Sequence, residues 1–114
     1  MNGSYPEINA KVHSLMGQCC KESPDVMQAF MDMHKASSTD GALSTKVKEL
    51  IALAIGITVR CDGCIAFHVS DALKAGAAHA EIVETIGVAI MMGGGPSVVY
   101  GSQALEALKE FEEV

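Results

Sequence analysis

The sequence predicts an all-α fold of about six helices, and three observations predict it. Apolar residues recur at three- and four-residue spacing along most of the chain. No stretch sustains the period-two alternation of a half-buried strand, and strand-like runs such as Ile55 to Val59 sit inside longer helical patterns. The periodic segments are separated by short groups of cap and breaker residues, among them Ser23-Pro24-Asp25 and Gly93-Gly94-Gly95-Pro96. All 114 residues are read as one domain, without a linker or low-complexity segment.

Pro6 stands in the first turn of a helix expected to reach about Cys20, with Ile8, Val12, Leu15, Met16 and Cys19 as its apolar stripe. Ser23 as cap, Pro24 at the first helical position and Asp25 start a second helix. Its inward residues are expected to be Val26, Met27, Phe30, Met31 and Met33, with the methionines as core filler. A polar loop from Ser37 to Gly41 follows, and Ser44 caps a third helix with Val47, Leu50, Ile51, Ala54 and Ile57 as its core positions. The fourth helix begins at Cys61-Asp62-Gly63-Cys64, carries Ile65, Val69, Ala72 and Leu73 inside, and stops at Gly76. Ala80 to Met92 forms a fifth, with Ile82, Val83, Ile86 and Ile90 inward, and a sixth runs from the glycine break to about Glu112.

Composition excludes several function classes. The net charge is −6, and Arg60 is the one arginine beside seven scattered lysines, so no basic cluster exists to neutralise phosphates. The longest apolar runs, Leu50 to Val59 and Ile86 to Met92, fall far short of the roughly 20 residues that cross a bilayer. Nothing in MNGSYPEINA reads as a secretory signal, so a cytoplasmic protein is expected, where a Cys-x-x-Cys is more often catalytic or metal-binding than structural. The apolar fraction of 49 % exceeds what a small interior can take, which favours a homo-oligomer.

The chemistry gathers between Glu49 and His68. Cys61 and Cys64, at i and i+3 around the first turn of a helix, can bring their sulfurs within bonding distance. Unpaired amides and the helix dipole there stabilise a thiolate. His68, four residues after Cys64, lies on the same face and can move protons to or from the thiol. Glu49 lies off the centre of its own apolar stripe, so periodicity alone makes it a solvated glutamate near Lys46. Only antiparallel packing of the two helices would bring it near His68. Two inert cysteines beside a core histidine are the plainer alternative, but the three fall together at a helix start. Zinc on Cys61, Cys64 and His68, with His13, His34 or His79 as fourth ligand, lacks the usual second ligand pair, since the other cysteines are the adjacent Cys19 and Cys20. Covalent haem attachment would need His where Ile65 stands. The three glycines lack the Gly-Lys-Ser/Thr ending of a phosphate loop and read as a helix break.

Glu49, eleven residues, Cys61-Asp62-Gly63-Cys64, three residues, then His68 resembles the signature of the carboxymuconolactone decarboxylase superfamily, within it the alkyl hydroperoxidase D (AhpD-like) branch. Ala75 to Glu84 and Met92 to Pro96 resemble the stretches that follow the motif in small members. The resemblance implies an all-α fold, assembly into trimers or hexamers, and a thiol peroxidase mechanism without a redox cofactor. Carried over, Cys64 attacks the peroxide, Cys61 resolves the sulfenic acid, and His68 with Glu49 relays protons. An external dithiol, dihydrolipoamide- or thioredoxin-like, would reduce the resulting disulfide. Some members carry a histidine just before the second cysteine, where this chain has Asp62-Gly63. Lactone decarboxylation in aromatic-acid breakdown, and a non-catalytic redox-sensing oligomer, are the rival expectations.

Overall fold

The computed structural model describes residues 2–114, and among them six α-helices and no strand. The helices are α1 (Tyr5–Glu22), α2 (Pro24–Ser38), α3 (Thr45–Thr58), α4 (Asp62–Lys74), α5 (His79–Gly93) and α6 (Gly95–Glu112). The expected all-α class is what the chain adopts. Its starts follow from local chemistry. Ser4 Oγ accepts the Glu7 amide at 3.3 Å while Glu7 Oε1 accepts the Ser4 amide at 3.1 Å, a reciprocal capping box on α1. Ser44 Oγ accepts the Val47 amide at 3.2 Å to open α3. Ser23 does not do the same for α2: its side chain makes no capping bond, and Pro24, which has no amide to satisfy, sets the start instead.

Two helix ends place the centre of the molecule. At the end of α3 the Arg60 amide donates to Ile57 O at 3.2 Å and the Cys61 amide to Gly56 O at 3.0 Å, with Arg60 at φ +62°. At the end of α4 Gly76 (φ +93°) and Ala77 repeat the pattern on Leu73 and Ala72. Both are Schellman endings, which turn the chain sharply in a left-handed residue. The first folds α4 back along α3 in residues 59–61. Gly94, at φ +71°, makes the one-residue corner between α5 and α6.

The core lies where α3, α4, α5 and α6 meet, around Leu53, Ile57, Ile65, Val69, Ile82 and Leu108, all fully buried. Burying such side chains is worth about 1.5–3 kcal/mol each. Helix α1 closes one side: Ile8 is buried against this core, and Tyr5 ties to α6 through its amide on Glu110 Oε1 (2.8 Å) and its hydroxyl on Gln103 Oε1 (3.3 Å).

Several expected core positions lie elsewhere. Helix α2 has no buried residue, and Val26, Phe30, Met31 and Met33 are all exposed in the single chain. Leu15, Cys19, Ile51 and Val83 are exposed as well. On α3 the inward face is Glu49, Leu53, Gly56 and Ile57, rotated from the expected stripe. The cause is visible in the sequence: from Leu50 to Ile57 the helix is apolar on every side, so periodicity does not fix its phase.

Candidate active site

Cys61 is the N-cap of α4, and its Sγ accepts the Cys64 amide at 3.1 Å. A sulfur in that position meets the positive end of the helix dipole, which favours its thiolate in the reduced chain. Cys61 and Cys64 are joined as a disulfide, with Cα atoms 5.1 Å apart. The pair is therefore close enough to cycle between dithiol and disulfide without moving the backbone far. In the closed state it offers no thiolate to a metal. Cys19 and Cys20 are free and exposed on α1.

One turn along α4 from Cys64, His68 Nδ1 donates to Glu49 Oε2 at 2.8 Å. That donor assignment follows from the carboxylate, which accepts, and leaves Nε2 as the ring atom free to exchange a proton. Glu49 is only 6 % exposed. Burial of a carboxylate is tolerated when a hydrogen-bonding partner is present, and here the partner is the imidazole. The solvated glutamate expected from periodicity is thus corrected by the phase of α3, and Lys46, its presumed partner, pairs with Glu81 Oε2 at 3.0 Å instead.

A cleft of about 380 Å³ opens over the cysteines between α1, α2 and α4. Val12 and Met16 line it from α1, Phe30, Met31 and His34 from α2, and Cys61, Gly63, Cys64, Phe67 and His68 from α4. Met31 faces a cleft rather than filling a core. The Phe67 ring stacks on His13 at 5.2 Å and meets His34 and His68 edge-on at 5.9 and 5.1 Å. No lysine or arginine lines the cleft.

Behind the cleft a further group converges. One ligand-type atom each of His34, Glu49 and Asp71 lie within 4.8 Å of one another. Burial, and next the facing Glu49 carboxylate, hold the Asp71 carboxyl above the usual aspartate range, while Lys74, His68 and His34 pull it down. His, Glu and Asp are side chains that can also hold a metal ion, but Glu49 Oε2 is already committed to His68. Sequence reasoning named His34 only as a spare zinc ligand and missed Asp71. The signal for Asp71 was its place three residues after His68, on the same face of α4.

A family model for the carboxymuconolactone decarboxylase family matches residues 24–108, which include the motif, α2 to α5 and all but the last turn of α6. The chain belongs to the carboxymuconolactone decarboxylase family. Solved structures of the family superpose closely. A Legionella pneumophila member is 41 % identical with a TM-score of 0.90, over 94 % of this chain and 96 % of its own. A Thermotoga maritima member, for which involvement in antioxidative response has been suggested, is 26 % identical with a TM-score of 0.83, over 92 % and 90 %. An uncharacterized protein of Cupriavidus necator is 42 % identical over 99 residues, 87 % of this chain and 84 % of that protein.

Proposed function

We propose that this family member is a thiol-dependent peroxidase of the AhpD-like kind, reducing hydroperoxides at Cys64. The observation that carries the reading is the Glu49–His68 hydrogen bond standing one helical turn from a Cys-x-x-Cys disulfide at an apolar cleft. In the reduced enzyme the Cys64 thiolate attacks one oxygen of the peroxide. The O–O bond breaks, Cys64 becomes a sulfenic acid, and the leaving alkoxide takes a proton from His68, whose charge Glu49 balances. The Cys61 sulfur then attacks Cys64 Sγ, the S–S bond forms and water leaves. An external dithiol, dihydrolipoamide- or thioredoxin-like, returns two electrons and two protons and is itself oxidised to a disulfide. An antioxidative role has been suggested for the Thermotoga maritima relative, which agrees with this chemistry.

The decarboxylase reading is less well supported. A carboxylated lactone would call for cationic side chains in its pocket, and the cleft lining offers only His34 and His68. Self-association, into the trimer or hexamer that the family resemblance implies, is part of the proposal and draws on the exposed apolar side chains of α3, α5 and α6.

Peroxide consumption with dihydrolipoamide or thioredoxin as reductant tests the mechanism. Cys64→Ser should abolish turnover, and Cys61→Ser should stop the cycle at the sulfenic acid. Full turnover by Cys64→Ser would overturn the reading. Lactone turnover that persists when the Cys61–Cys64 pair is oxidised would favour the decarboxylase.

A further inference from the structure

Four titratable side chains from three helices meet behind the cysteines, and the mechanism above uses two of them. His68 and Asp71 come from α4, Glu49 from α3 and His34 from α2. We propose that His34 and Asp71 are positioning residues that complete the Glu49–His68 relay, so that the four groups act as one proton store for the cysteine pair. The proposal depends on the peroxidase reading for its purpose, but not for its existence.

Two carboxylates facing each other in a partly buried site cannot both stay ionised without cations or protons between them. Here imidazoles stand where such protons can sit. His68 holds Glu49 at 2.8 Å, and a ring nitrogen of His34 lies within 4.8 Å of both carboxylates. Every electrically neutral arrangement of the four groups holds two protons, whether they sit on the imidazoles, the carboxylates or one of each. A site of low dielectric keeps the total near neutrality and lets the two protons redistribute at little cost. The chemistry at Cys64 needs this: one proton is taken up when the thiol ionises, and one is given to the alkoxide. The cleft is almost wholly apolar, so a proton reserve inside the protein replaces one in water. His34 also lines the cleft, which gives the store a second opening on the α2 side.

Other charged or titratable groups nearby are Lys74, which lowers the Asp71 pKa, and His13 of α1, stacked on the Phe67 ring that His34 and His68 meet edge-on. His13 does not join the group within 4.8 Å. The surface pair His79–Glu112 is separate and serves as an internal control.

The test is a titration of the imidazole rings by nuclear magnetic resonance, on the reduced, chelator-treated full-length protein. In the wild type the His34 and His68 curves should each show two inflections, since each ring senses the other's protonation, while His79 shows one. Asp71→Asn removes a negative charge and should move the His68 midpoint down by about one unit. His34→Gln removes a positive charge and should move it up by a similar amount, with the double variant returning towards the wild type. A structural role would not produce opposite shifts that cancel. Single, independent curves for His34 and His68 in the wild type would overturn the proposal, and so would a His68 midpoint that stays put in both variants. Because these curves are read without any peroxide, they stand apart from the turnover assay, whose failure would sink the peroxidase reading alone.

Discussion

Glu49 shows what a single residue can hide. Its spacing from the cysteines carried the family resemblance, yet its place off the centre of the expected α3 stripe argued for solvent, because a helix apolar on all sides from Leu50 to Ile57 does not declare its phase. Cys61, Cys64 and His68 were legible because their relation is local: a cap, the first turn and the next turn of one helix. Glu49 needed α3 to fold back along α4, and His34 needed α2 to cross the same end, relations that no spacing within one element encodes. Since Glu49 is 6 % exposed and holds His68 at 2.8 Å, Glu49→Gln should keep the hydrogen bond and lose the charge. The expected result is a fall of about a hundredfold in peroxide turnover, with the melting temperature little changed. An equal loss of both would mean that Glu49 serves stability rather than proton transfer.

Among the elements, the α3–α4 pair sets the geometry. Gly56 is buried on α3, and a Cβ built there would lie 3.2 Å from Cys64 Cβ. Glycine is what lets α3 run this close beneath Cys64. Gly56→Ala gains up to about 1 kcal/mol of helix propensity, which offsets the tight contact. Stability should therefore hardly move, while the displaced Cys64 loses about tenfold in turnover. A variant as active as the parent would show that Cys64 tolerates the shift. The Schellman ending at Arg60 belongs to the same device, since it hangs Cys61 from Gly56 O at 3.0 Å. From sequence the corner was legible as a break between two periodic runs. Its left-handed residue was not, because arginine carries no preference for that conformation.

At the scale of the molecule, the mismatch between apolar content and buried volume remains in the single chain. Ile55 of α3, Val59 just past its end, Val88, Met91 and Met92 of α5, and Val99 of α6 are each more than half exposed, Met92 at 75 %. Light scattering should give a mass that is a multiple of 11.9 kDa. Met92→Glu should lower that mass without loss of helicity. A monomer at working concentrations would refute self-association. The fold class followed from periodicity because each helix carries enough apolar residues to declare its repeat, whereas apolar faces that stay exposed in the single chain, or that line only a cleft, look the same in sequence as the faces that meet the core. Helix α2 is the clearest case. It has no buried residue, yet it supplies Phe30, Met31 and His34 to the cleft. Few contacts hold it, so in the lone chain it belongs to the low end of the local-unfolding spectrum. Any apolar guest that fills the cleft then does two things at once. It leaves water, and it fastens the least anchored wall of its own binding site, so part of its affinity goes into ordering the protein that receives it.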